Sequence, residues 1–144
     1  MKILKNTSIV NDILIRDSNR ILTTAENMIN LWDLRTDSIA QQANPFQANI
    51  NKLVCDKSQT RLFTICQNES YVKVLDMNSL KSLFNVKFNR EISCFDISND
   101  LNRYAVGFTN SDISIRTRIQ DEGEDVILDQ EEKDIELLEY YILI

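Results

Sequence analysis

The sequence predicts an all-β protein built from three stacked, four-stranded antiparallel sheets, followed by a short acidic helix. Two observations predict this architecture. Short strand-like segments recur along the chain with a period of about 42 residues, which is typical of repeat folds. Each segment is also rich in β-branched or aromatic residues and is bounded by a polar turn.

Three sets of marker residues carry the repeat. Because the sets are independent of one another and agree on the spacing, the period applies to most of the chain. They divide it into three units, at about 8–44, 45–89 and 90–119, followed by a tail at 120–144. The markers begin the first strand of each unit (Val10, Ile50, Ile92), begin the second (Arg20, Arg61, Arg103) and end the third (Asp33, Asp76, Thr117).

The third strand of each unit alternates most regularly between apolar and polar residues. Since successive side chains of a strand point to opposite faces, two apolar residues in each of these strands share one face. A fourth, outer strand is visible in the first two units, at Ser38 to Gln42 and at Lys81 to Lys87. The paired apolar residues are Ile29 with Leu31, Val72 with Val74, and Ile113 with Ile115.

Four short strands in each unit of about 40–45 residues are typical of the blades of a β-propeller. Propellers close with about four to eight blades, because an open ring leaves apolar blade faces in water. Three blades therefore predict a partial copy, a truncated gene, or one half of a ring that another polypeptide completes.

The end of the third strand resembles the WD-repeat family. Leu31-Trp32-Asp33-Leu34 contains the dipeptide that names the family, and in Val74-Leu75-Asp76-Met77 another residue replaces the tryptophan. The resemblance gives Trp32 a role in packing between blades and Asp33 and Asp76 roles in turns. The chain has no histidine, so the family's buried Asp–His–Ser/Thr–Trp network cannot form. Packing alone is then expected to hold the blades.

A closer resemblance covers the run from Ala105 to Arg118, in which Gly107 is a further structural repeat position. This run is similar to the last blade of the U3 small nucleolar RNA-associated WD-repeat proteins of the small-subunit processome, where glycine is favoured at Ser111. The resemblance implies a non-catalytic scaffold in pre-ribosomal RNA processing, located in the nucleus and nucleolus. Its partners would be other protein subunits, with contact to RNA through the complex. The alternative is a WD-repeat adaptor of an unrelated complex, in trafficking or ubiquitin ligation, located in the cytoplasm.

Composition argues against an enzyme. Without histidine the commonest general base and metal ligand are missing, and no glycine-rich phosphate-binding motif is present. We therefore expect no catalytic residues, cofactor, metal or small-molecule substrate. The polar start and the lack of a long apolar run predict a soluble, intracellular protein without a membrane partner. The cysteines have neither metal nor disulfide spacing and are expected to be buried thiols: Cys55, Cys66 and Cys94.

Charge divides the chain into two parts. Residues 120–144 carry a net charge of −9, and the other 119 residues carry +3. Apolar residues at helical spacing from 135 to 144 predict an amphipathic helix that docks on the blades or on another chain. The basic residues of the body are scattered, which allows phosphate contacts without sequence readout. They are Lys52, Lys57, Arg61, Lys81, Lys87, Arg90, Arg103, Arg116 and Arg118.

Overall fold

The computed structural model describes residues 1–99 and 103–117, and this part of the chain is all-β. Arg118, the acidic tail and the predicted C-terminal helix lie outside the described residues. Eleven strands form three antiparallel sheets. The strands are β1 (Val10–Ile15), β2 (Arg20–Ala25), β3 (Met28–Asp33), β4 (Ser38–Ala43), β5 (Ile50–Cys55), β6 (Arg61–Cys66), β7 (Tyr71–Asp76), β8 (Ser82–Lys87), β9 (Ile92–Ile97), β10 (Arg103–Phe108) and β11 (Ile113–Thr117).

Each sheet is an up-and-down meander in sequence order, so each corresponds to one predicted unit. We call the sheets blade 1 (β1–β4), blade 2 (β5–β8) and blade 3 (β9–β11). All nine marker residues coincide with the strand ends that the repeat predicted. The partial propeller-like, all-β fold is therefore confirmed. Blade 3 has three strands in the described part of the chain, where the sequence analysis expected four.

The blades stack face to face through their first strands, because β5 contacts both β1 and β9. We call the face of a blade that points to the next blade along the chain its forward face, and the opposite one its backward face. Two apolar cores fill the seams between blades. The core between blades 1 and 2 includes Leu22, Ile29, Leu31, Leu53, Leu62, Leu75 and Met77. The core between blades 2 and 3 includes Val54, Phe63, Ile65, Val72, Val74, Phe95, Tyr104 and Val106.

Hydrogen bonds hold the blades together as well as packing, so the expectation of packing alone is wrong. The indole Nε1 of Trp32 donates to Thr23 Oγ1 over 3.0 Å inside blade 1. Between blades, the carboxylate of Asp12 accepts from the backbone N–H of Leu53 over 2.8 Å. The side chain of Asn11 also donates to the backbone carbonyl of Ile50. These contacts fix how the first strands of blades 1 and 2 approach each other.

The cysteines differ in exposure. Cys66 is buried and Cys55 is half-buried, and burial raises the pKa of both thiols, which keeps them protonated at neutral pH. Cys94 is exposed, so the expectation of a buried thiol is wrong there. It lies on the forward face of blade 3, and no further blade of the described chain covers that face.

The turn between β10 and β11 explains why glycine would suit position 111. Ser111 has a φ of 74°, in the left-handed region that is unfavourable for residues with a Cβ. We expect Ser111→Gly to raise the free energy of unfolding by about 0.5–1 kcal/mol, an upper limit because glycine also loses more entropy on folding. Urea denaturation measures the difference. Asn110→Gly, at a neighbouring turn residue outside that region, is the matched control and should not stabilise the fold.

Candidate functional site

The sequence-predicted repeat positions do not converge on one site. Trp32 is buried on the backward side of blade 1, and Asp33 and Asp76 end equivalent third strands of blades 1 and 2. Gly107 lies on the forward face of blade 3. A Cβ at this position would come within 2.6 Å of Cys94 Sγ, so the space beside the Cys94 side chain favours glycine.

Asp33 and Asp76 each organise the turn that follows their strand. Asp33 accepts hydrogen bonds from the side chain and the backbone N–H of Arg35, and these lower its pKa to about 2. Asp76 accepts from the backbone N–H groups of Asn78 and Ser79 and from the Ser79 hydroxyl, which also lowers its pKa. Both carboxylates are therefore ionised and occupied in the turn, which leaves them poorly suited to general acid–base chemistry.

A third turn carboxylate, Asp56, was not predicted from the sequence. It is buried and follows β5 directly. Burial by itself would raise its pKa, but donors from Arg61, Ser58 and Thr60 together outweigh that effect, and the pKa is lowered. The backbone N–H groups of Thr60 and Arg61 lie 2.7 and 2.9 Å from Asp56 Oδ1. The equivalent residues of blades 1 and 3 are Arg16 and Ser98, whose backbone N–H groups likewise donate to the first residue of the next strand, so aligning the units gives no signal for this aspartate.

We expect the stability of the protein to fall as the pH drops from about 4 towards about 2. The pKa values of Asp33, Asp56 and Asp76 are lower in the folded chain than the value of about 3.9 for an unfolded aspartate. Their stabilising contribution is therefore complete above pH 4 and is lost as the pH falls through the folded-state values. Urea midpoints measured across this range test the expectation.

Asp56→Asn separates the contribution of that one carboxylate. At neutral pH we expect it to lower the free energy of unfolding by about 1.5–3 kcal/mol, because the neutral amide weakens the bonds from the backbone N–H groups and its NH2 group cannot accept from the hydroxyls of Ser58 and Thr60. The free energy of unfolding of this variant should also fall less between pH 4 and pH 2 than that of the parent chain. Asp37→Asn is the matched control, since Asp37 is exposed and its ion pair with Lys2 lies on the surface. Equal effects of the two substitutions would contradict this account of Asp56.

Arg16 is a second buried polar residue that the sequence analysis did not single out. Its guanidinium donates to the backbone carbonyl of Met77 over 3.3 Å and to the side chain of Asn78. It therefore joins the loop after β1 in blade 1 to the turn after β7 in blade 2. No periodic signal marks it, because the equivalent position in the other blades is not basic.

The surfaces that remain available for binding are the two outer faces of the stack. In blade 3, Ala105 pairs with Ile115 and Gly107 with Ile113, so these four residues share the forward face. Both isoleucines are exposed there, unlike their buried counterparts in blades 1 and 2. The predicted sharing of one face is confirmed for all three third strands by their registers. The apolar pairs of blades 1 and 2 are buried, and the pair of blade 3 is exposed.

A shallow depression of about 250 Å³ lies on the forward face of blade 3. Asp96, Ala105 and Ile115 line it, and Arg103 and Ser98 border it. It is open to solvent and mostly apolar. Within residues 1–99 and 103–117, no group of three histidine, cysteine, aspartate or glutamate side chains is placed to hold a metal ion. The same residues include no helix able to cross a membrane.

The basic residues of the described body have different surroundings. Lys52 is engaged with Asp12 across the seam between blades 1 and 2, and Arg90 forms a 2.6 Å ion pair with Asp112. Lys57, Lys81 and Lys87 are exposed on loops and an outer strand.

Comparison of the chain with models of protein families and with curated proteins found no match.

Proposed function

We propose that the protein is a non-catalytic WD-repeat scaffold that joins other protein subunits within a large complex. The observation that carries the proposal is the pair of outer faces, which expose aliphatic side chains at positions that are buried elsewhere in the repeat. Exposed apolar surface of this kind favours protein association. The aspartates are occupied in turns, and the described residues present no convergent set of acid, base and nucleophile.

The small-subunit processome is the complex that we propose, with action in pre-18S ribosomal RNA processing in the nucleolus. The support is the resemblance of residues 105–118 to the last blade of the U3 small nucleolar RNA-associated WD-repeat proteins. Ser111 adds to it, because its left-handed backbone conformation accounts for a glycine in those proteins. The scattered bases favour contact with RNA through other subunits rather than direct sequence readout.

Affinity purification of the tagged chain from cells tests both parts of the proposal. We expect pre-ribosomal RNA and its assembly factors to be recovered, and the protein partners to remain after ribonuclease treatment because the contacts are between proteins. Loss of every partner on ribonuclease treatment would contradict a protein scaffold. Recovery of a trafficking or ubiquitin-ligase complex instead would support the alternative adaptor function.

A further inference from the structure

We infer that the two outer faces of the stack bind each other between two copies of this chain, so that two three-bladed halves close into one six-bladed ring. Each ring would contain two new seams. In each seam the forward face of blade 3 in one copy packs on the backward face of blade 1 in the other. The inference rests on the outer faces that carry the proposed function, and it names the protein that covers them as a second copy of this chain.

The forward face of blade 3 repeats the faces that already bind a blade inside the chain. Ile113 and Ile115 occupy the positions of Val72 and Val74 in blade 2, which are fully buried against blade 3. In blade 3 the same two positions are 72% and 67% exposed. The sequence thus keeps aliphatic side chains at positions that no other blade of the described residues covers.

The backward face of blade 1 is the complementary half. Ile13 and Ile15 correspond in the repeat to Phe95 and Ile97 of blade 3, both buried against blade 2. In blade 1 these two positions are 57% and 73% exposed. Ile21 pairs with Ile15 and extends the same apolar surface onto β2.

The N-terminal residues leave Ile13 and Ile15 uncovered on the backward face. Asn6 accepts a hydrogen bond from Asn30 on β3, and Lys2 pairs with Asp37 beyond that strand. Residues 1–9 therefore run along the outer strands of blade 1. The core between blades 2 and 3 shows that the two inner strands of a backward face suffice for a seam, because blade 3 contributes to it from β9 and β10.

A second copy is the occupant that these positions favour. One chain offers both a forward and a backward face, and the two are related in the same way as the faces of each internal seam. The proposed seam therefore continues an interface that the chain already forms twice. Two copies of the three described blades give six, within the range of about four to eight at which propellers close, and the two-fold ring covers both outer faces.

Sedimentation equilibrium of the 144-residue chain tests the inference. We expect twice the chain mass of 16.7 kDa at micromolar concentration. Ile13→Asp and Ile115→Lys should each raise the dimer dissociation constant by at least about 100-fold, since each places a charge in both seams. Far-ultraviolet circular dichroism should be unchanged, because both side chains are exposed within one chain. The matched control is Leu83→Asp, at an exposed residue of β8 outside the seams, which should remain dimeric.

Two further results decide whether the seam is the proposed one. An equimolar mixture of the two variants can form one seam without a substitution and one with an Asp–Lys pair, so we expect it to dimerise more tightly than either variant alone. Ile13→Cys should form a covalent dimer with Cys94 under mild oxidation. In the seam between blades 1 and 2, Asp12 accepts a hydrogen bond from the backbone of Leu53. In the repeat, Asp12 corresponds to Cys94 and Leu53 corresponds to Ile13, so the same two positions should meet in the new seam. The linkage should disappear in Cys94→Ser.

A monomer at these concentrations would overturn the inference, whether the outer faces are then covered by residues 118–144 or by another protein. A dimer that survives both Ile13→Asp and Ile115→Lys would overturn it as well, since it would use a different surface. A monomer whose outer faces are covered by its own residues would also remove the observation that carries the proposed function. Capture of another protein, or a dimer through a different surface, would leave that function standing, and the purification from cells tests it separately.

Discussion

Phe63→Ala is expected to lower the free energy of unfolding by about 3–5 kcal/mol. Phe63 is almost fully buried in the core between blades 2 and 3, where its ring lies 5.9 Å from the ring of Phe95. Truncation removes the transfer free energy of the ring and leaves a cavity between two β-sheets that cannot easily collapse. Because the stability of domains of this size is about 5–15 kcal/mol, the variant should be close to unfolding at 37 °C.

Urea denaturation followed by circular dichroism and by the fluorescence of Trp32, the single tryptophan, measures this effect. Trp32 lies in blade 1, away from the altered core, so a joint shift of both signals would show that the three blades unfold together. Leu83→Ala is the matched control on the exposed side of β8 and should change the free energy by less than about 1 kcal/mol. A loss of similar size in the control would contradict the assignment of the core.

Trp32→Ala is expected to lower the free energy of unfolding by about 3–5 kcal/mol, measured by circular dichroism. The indole is buried, and its N–H donates to the hydroxyl of Thr23 on the neighbouring strand. The substitution therefore removes a large apolar surface together with a buried hydrogen bond. A loss below about 1 kcal/mol would show that the indole is not packed as described.

A double-mutant cycle separates the hydrogen bond of Trp32 from its packing. Trp32→Phe retains most of the apolar surface, and Thr23→Val replaces the acceptor with a group of similar shape. We expect a coupling free energy of about 1 kcal/mol between the two positions, a typical value for one neutral buried hydrogen bond. Strictly additive losses would mean that packing alone stabilises this pair.

The strands and their order could be predicted because their signal is local. Alternation of apolar and polar residues fixes which face each side chain occupies, and the repeated markers at Arg20, Arg61 and Arg103 locate the second strands. The turn aspartates Asp33 and Asp76 were found for the same reason, since each serves backbone groups two or three residues away. Where a side chain's surroundings come from distant residues, the sequence carries no such local signal.

Burial of the end blades is the main example. Ile113 and Ile115 follow the same sequence pattern as Val72 and Val74 in blade 2. They are exposed because no later blade of the described chain packs on them. Cys94 is exposed for the same reason. Arg16 carries no periodic signal, and its partner Met77 lies 61 residues further along the chain.

By itself, the sequence determined the all-β class, the strand ends, the three-fold repeat and the local turns around Asp33 and Asp76, because these depend on neighbouring residues and on a period of two. The tertiary structure alone decided which blade faces are covered, that Trp32 bonds Thr23, and that Arg16 and Asp12 join blades 1 and 2. The contacts between blades depend on how whole sheets stack, and the bond from Trp32 to Thr23 depends on the register of β3 on β2. Neither is set by neighbouring residues along the chain.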